Sequence, residues 1–362
     1  MDPDLPGPQH GAPLAPAAPC DVQSILAAPN PREVLSRIAV VSLPMVTRFR
    51  GITVREAMLF EGPAGWAEFS PFLEYDVPEA SRWLAAALEW ACVDPPATKA
   101  ATVPVNGTIP ACPPSAVAEV AARYAGVGTF KIKVAEAGID SLDEDCARIE
   151  ALRAARPGAR IRLDANGRYT VAQARTALRA FSRFELEYVE QPVMAVEDLA
   201  QVREEIDREG WGIRIAADES IRKASDPLRV AALGAADVVI VKVQPLGGVR
   251  SALSVIEASG LPAVVSSALD TSVGLSAGVA LAASLPESAR PDGSIPACGL
   301  GTSALFRSDV ADPPLRAADG VLPVGRTAPS EERLSALAAA PERAQWWTER
   351  LRACWSHLRE QR

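Results

Sequence analysis

Histidine is nearly absent from this chain: among 362 residues only His10 and His357 are histidine, one near each end. That argues against a histidine general base or a Ser-His-Asp triad. Lysine is almost as scarce, at Lys99, Lys131, Lys133, Lys223 and Lys242, and arginine supplies most of the positive charge. With a formal net charge of −8 and no long basic run, nucleic acid is not the expected partner. No apolar stretch approaches a membrane span. The cysteines at 20, 92, 112, 146, 298 and 354 form no Cys-x-x-Cys, which points away from zinc and disulfides and toward a reducing cytoplasm. Residues 1–31 carry eight prolines but neither the basic start nor the apolar core of a signal peptide, and read as a disordered Pro-rich tail.

What the chain does contain is a repeated strand ending. Val238-Val-Ile-Val runs into Lys242, a uniformly apolar segment of the kind buried in parallel sheets. Thr129-Phe-Lys-Ile-Lys133, Arg160-Ile-Arg-Leu-Asp164, Glu187-Tyr-Val-Glu190 and Ile213-Arg-Ile-Ala-Ala-Asp218 repeat the pattern, each apolar run closing on a charge. The terminal charges lie 31, 26, 28 and 24 residues apart, close to one strand-plus-helix unit. That period predicts a β/α barrel, whose chemistry stands at the C-terminal strand ends.

Taken in order, residues 32–100 predict an α+β domain. Strands are expected at Ile38–Met45, Ile52–Phe60 and Trp66–Phe69, with a hairpin loop at Arg48–Gly51 and a helix over 78–92. Residues 101–302 predict the barrel, with its first strand near Thr102–Asn106, a seventh at Ala263–Ser267 and an eighth near Ile295–Gly299. Thr170 is a candidate helix cap, and Ser225-Asp226-Pro227 a candidate helix start. Residues 303–325 are expected to return to the small domain, and Ser330–Gln361 to form one or two amphipathic packing helices.

Asp164, Glu190 and Asp218 come from consecutive strands, so they should meet at the barrel mouth. Three carboxylates there call for a cation, and an all-oxygen donor set favours Mg²⁺ or Mn²⁺ over zinc. Lys133 and Lys242 flank that set across the mouth, with Lys131 on the same strand face as Lys133. Two amines about a metal-bound carboxylate suit abstraction of an adjacent proton, the metal steadying the enediolate. A Schiff-base aldolase would need one such lysine and no carboxylate trio.

Lys131-Ile-Lys133, Asp164-Ala-Asn166, Glu190-Gln-Pro192, Asp218-Glu-Ser220 and Lys242 together resemble the motif set of the enolase superfamily, muconate-lactonizing subgroup. The resemblance implies a (β/α)₇β barrel under an N-terminal α+β capping domain. Arg48–Glu56, Glu61–Glu68, Val105-Asn-Gly-Thr and Val243-Gln-Pro-Leu-Gly-Gly resemble the actinobacterial branch that dehydrates a succinyl-hydroxy-cyclohexadiene carboxylate in menaquinone synthesis. It implies Lys133 as acid/base, Lys242 as a cation–π support and Lys131 as a support of the metal region. Asp164, Glu190 and Asp218 become the Mg²⁺ ligands, with Asn166 and Glu219 behind them. Arg50, in a loop closing over the substrate, would meet a carboxylate, and Ser266 or Ser267 the succinyl group. The expected partner is a small carboxylate, with no membrane; the two termini leave the oligomeric state open, a monomer included. The lysine pair equally serves racemisation of N-acylamino acids, dipeptide epimerisation or muconate cycloisomerisation. A non-catalytic metal-binding barrel is the remaining reading.

Overall fold

The computed structural model describes residues 25–28, 30–49, 52–98, 100–221 and 226–361. Three antiparallel strands open the chain: β1 (Arg37–Phe49), β2 (Ile52–Gly62) and β3 (Gly65–Phe69). Helix α1 (Val77–Cys92) covers them. Asp76 caps it, its side chain accepting from the Glu79 amide at 2.9 Å, and Pro78 stands in the first turn where no donor is lost. Its stripe of Ala80, Trp83, Leu84, Ala87 and Leu88 is buried, as the helical spacing predicts.

The barrel consists of seven parallel strands: β5 (Gly107–Ile109), β6 (Thr129–Lys133), β7 (Arg160–Asp164), β8 (Leu186–Glu190), β9 (Ile215–Ala217), β10 (Val238–Val241) and β11 (Ala263–Val265). Single parallel bridges, Ser266 to Gly299 and Val105 to Cys298, close the ring through the eighth position. Seven helices follow these strands in turn: α2 (Val117–Ala122), α3 (Leu142–Ala155), α4 (Val171–Phe181), α5 (Val196–Glu209), α6 (Asp226–Ala232), α7 (Val249–Ser259) and α8 (Ser272–Ala283). Thr170 caps α4 in a reciprocal box with Gln173, and left-handed Gly210 and Gly260 end α5 and α7.

Alternation along the strands explains the separate interior of the barrel. Tyr188, Ala216, Val238, Ile240 and Val264 form their own buried cluster, apart from the larger core under the helices. Each mouth residue stands two positions beyond an inward one: Glu190 after Tyr188, Asp218 after Ala216, Lys242 after Ile240.

Three boundaries differ from those the sequence predicts. Thr102–Pro104 is not the first barrel strand; as β4 it pairs antiparallel with β12 (Val321–Pro323). The barrel starts instead at Gly107, where a Cβ would lie 2.8 Å from ring carbons of Phe130. The eighth strand exists only as the two closing bridges. Ile25 and Leu26 are buried in the core, so the folded part begins before residue 31; residues 1–24 lie outside the described residues. Ser225 also lies outside them, though Asp226 and Pro227 do begin α6.

The chain then returns to the cap, where Phe306 bridges Met45 on β1. Two helices follow, α9 (Glu331–Ala336) and α10 (Pro341–Glu360). Trp347, Leu351 and Trp355 of α10 are buried, and the Trp347 ring nitrogen donates to Glu56 at 2.9 Å. A polar seam fastens cap to barrel. Buried Arg55 on β2 donates to the carbonyls of Ser70, Ala268 and Leu269, and Glu68 on β3 accepts from Thr271 and Gly274 where α8 begins. Because the β11–α8 connection lies at the C-terminal strand ends, this seam sets the cap over the barrel mouth.

Candidate active site

Strand register brings the charged strand ends level. Lys133 pairs with Asp164, Asp164 with Glu190, and Glu190 with Ala216, two residues before Asp218. Lys133 Nζ donates to Asp164 at 2.5 Å and to Asn166 Oδ1 at 2.9 Å. Lys131 Nζ reaches both Glu190 oxygens, at 2.8 and 3.0 Å, and Asp164 at 3.1 Å. Lys242 pairs with Asp218. Strands β6 and β10 are four steps apart in the ring of eight, so Lys133 and Lys242 stand on opposite walls. These three are all the lysines among the described residues.

Burial makes the electrostatics severe. Desolvation raises Asp164, but Lys131 and Lys133 overcome it and hold its carboxyl well below the usual range. Asp218 is lowered in the same way: burial raises it, and Lys242 and Lys131 together more than offset that. Burial would lower Lys131, yet the charges of Asp164 and Glu190 hold it well above an ordinary lysine. Glu190 goes the other way: burial, then the charge of Asp164, push it up to about 8. Burial and the charges of Asp218 and Asp164 likewise raise Glu219. Four carboxyls thus face three lysine side chains.

Among the described residues no three His, Cys, Asp or Glu side chains form a ready metal group, because lysines hold the carboxylates. The residues themselves fit a hard divalent cation. Every donor is a carboxylate oxygen, a divalent cation would relieve the mutual repulsion that raises Glu190 and Glu219, and Glu219 Oε2 is buried with no partner. Asp164, Glu190 and Asp218 are the set that could hold it.

Asn166, in a left-handed turn (φ 49°), ties the site together. Its amide donates to Glu219 at 2.9 Å while its oxygen receives Lys133. Ser267 shares a 2.6 Å hydroxyl contact with Thr302, and Ser266 lies against Gly299 on the closing bridge. Arg50 lies outside the described residues. Two residues of this region were not singled out from sequence. Gln191, buried with φ 40°, accepts from the amides of Asp218 and Ser220 at 2.8 and 3.2 Å and donates to Ser220 Oγ at 2.7 Å. Its signal was its place inside the Glu190-Gln-Pro192 motif. Thr302 carries no sequence signal.

The enolase C-terminal domain-like family matches residues 115–329, and the enolase N-terminal domain-like family residues 40–91. Proteins named o-succinylbenzoate synthase from Mycobacterium ulcerans and Mycobacterium tuberculosis are 48% and 49% identical over 327 and 325 residues, 90% of this chain and 95% of theirs. This chain belongs to the enolase superfamily, in the family of the o-succinylbenzoate synthases. The superfamily fold is shared with the muconate lactonizing enzyme from Pseudomonas putida, at a TM-score of 0.68 and 18% identity over 84% of this chain and all of that one. Membership agrees with the cap of residues 37–92 and the barrel above, and enolase superfamily members generally depend on a divalent metal. No helix among the described residues is long and apolar enough to cross a membrane.

Proposed function

We propose that this chain is an o-succinylbenzoate synthase, a lyase acting on 2-succinyl-6-hydroxy-2,4-cyclohexadiene-1-carboxylate. The reaction breaks the C–H bond beside the ring carboxylate and the C–O bond of the neighbouring carbon. A ring double bond forms, water leaves and the ring becomes aromatic. One observation carries the proton-abstraction step: two lysines on opposite barrel walls, with three carboxylates on the strands between them. The relatives of that name support the choice of substrate.

Asp164, Glu190 and Asp218 hold Mg²⁺, for which Mn²⁺ can substitute. Bound there, the cation supplies Lewis acidity toward a substrate carboxylate. Lys133 takes the α-proton through Nζ and returns a proton to the departing hydroxide; Asp164 and Asn166 fix where that nitrogen sits. Lys242 keeps positive charge on the opposite wall and steadies the developing anion by cation–π contact with the ring. Lys131 offsets the charges of Glu190 and Asp164. Asn166 and Glu219 orient this group from behind. Arg50 meets a substrate carboxylate, and Ser266 and Ser267 bind the succinyl arm. The enzyme works in the cytoplasm on its small-molecule substrate; Cys92, Cys112, Cys146, Cys298 and Cys354 are free thiols, as a reducing compartment keeps them.

Incubation with the cyclohexadiene carboxylate and Mg²⁺, followed by ultraviolet absorbance, tests the assignment. Conversion to the aromatic product is expected. No conversion, with racemisation of N-acylamino acids or dipeptides instead, would overturn it.

A further inference from the structure

Behind Lys133 lies a buried ion pair that touches no other member of the site. Arg148, from the middle of α3, is 2% exposed, and Asp145, one turn earlier, is fully buried. Arg148 Nη1 donates to Asp145 Oδ1 at 2.6 Å and to the backbone carbonyl of Lys133 at 3.0 Å. Its Nε donates to the carbonyl of Cys112, in the loop beyond β5, at 2.7 Å. The second carboxylate oxygen, Oδ2, accepts from the Ala135 amide at 2.8 Å and from Ser141 Oγ at 3.2 Å. The pair therefore grips both ends of one short segment, the carbonyl of Lys133 and the amide of Ala135. Ala135 has φ 61°, a left-handed backbone that alanine adopts only when its surroundings impose it.

A buried ion pair costs desolvation that apolar residues of similar volume would avoid, so it is weak evidence for stability. What this one fixes is placement. A lysine side chain has four rotatable bonds, and its nitrogen can be aimed only if its Cα is held. We propose that Asp145 and Arg148 are positioning residues for Lys133, fixing the strand end so that Nζ is delivered to the proton it moves. This rests on the base role assigned to Lys133 above.

The barrel contains its own control. Arg203 Nε donates to Asp237 Oδ1 at 2.9 Å, and Asp237 Oδ2 accepts from the Ile215 amide at 2.8 Å. That clasp grips the start of β9 and the approach to β10, at the opposite rim, where a barrel keeps stability rather than chemistry.

Arg148→Met/Asp145→Asn removes both charges at similar volume and is compared with Arg203→Met/Asp237→Asn; Asp145→Asn alone is the milder variant should the first not fold. In the Arg148 variant kcat is expected to fall about 10- to 100-fold, as for a catalytic group displaced by about 1 Å, with KM changed less than about 3-fold. The primary deuterium isotope effect for the α-deuterated substrate should rise as proton abstraction becomes limiting. Hydrogen exchange at Lys133–Ala135 should accelerate in the Arg148 variant and in Asp145→Asn, but not in the control. A kcat no lower than that of the Arg203 variant, or unchanged exchange at Ala135, overturns the proposal. If the wild-type enzyme does not convert the cyclohexadiene carboxylate, the functional reading falls, and exchange at Lys133–Ala135 alone decides whether the clasp holds the segment.

Discussion

Glu68 shows what one buried carboxyl does to the pH dependence of the whole fold. Burial, then the charge of Asp270, push it up to about 7 from an ordinary 4.5. Between those values the folded chain holds a proton that the unfolded chain releases, so stability falls as pH rises through that window. Over two to three pH units the loss is about 4 kcal/mol at most. Glu68→Gln keeps an acceptor for Thr271 and Gly274 and removes the charge. Urea midpoints at pH 5 and pH 8 should differ less in the variant than in the wild type; equal differences would refute the assignment. Gln191 is the corresponding case in the site. Gln191→Leu leaves the amides of Asp218 and Ser220 without their acceptor, and should weaken Mg²⁺ or Mn²⁺ binding about 10- to 100-fold by titration calorimetry. Unchanged affinity would remove Gln191 from the account.

Among the elements, the strands that bear the chemistry are the most legible in the sequence and the connecting pieces the least. Val238–Val241 and Thr129–Lys133 are strands where expected, because short runs rich in β-branched and aromatic residues that end in a charge have few other places to go. Thr102–Pro104 misled because a short strand segment such as Thr102-Val103 does not encode its partner, and it pairs antiparallel with Val321–Pro323 rather than with a barrel neighbour. The pairing of Asp145 and Arg148 with the end of β6 joins helix to loop, and no periodicity reports such a contact. Helix α10 is legible as amphipathic, but not as a wall of the cap. Trp347 is fully buried, edge-on to Phe69 at 5.8 Å and bonded to Glu56. Trp347→Ala should cost about 3–5 kcal/mol in chemical denaturation. A cost under 1 kcal/mol would mean α10 is not part of the cap core.

At the scale of the molecule, cap and barrel are joined by the Arg55–Glu68 seam beside the β11–α8 connection, which sets the cap domain over the strand ends. The charged strand ends singled out in the sequence do meet at one mouth of the barrel, because a strand end fixes the direction of its side chain. The sequence carried the cap side only as an expectation about Arg50, because loop conformation depends on contacts that no spacing encodes. The central claim is that opposed lysines perform the chemistry, Lys133 as acid and base and Lys242 as the charge across from it. The most direct measurement is turnover of the cyclohexadiene carboxylate by Lys133→Ala and Lys242→Ala beside the wild type, at saturating Mg²⁺ and with metal binding checked in each. Loss of at least about 10³-fold in kcat for both variants, with metal still bound, is the predicted result. Turnover within tenfold of wild type in Lys133→Ala would contradict the account.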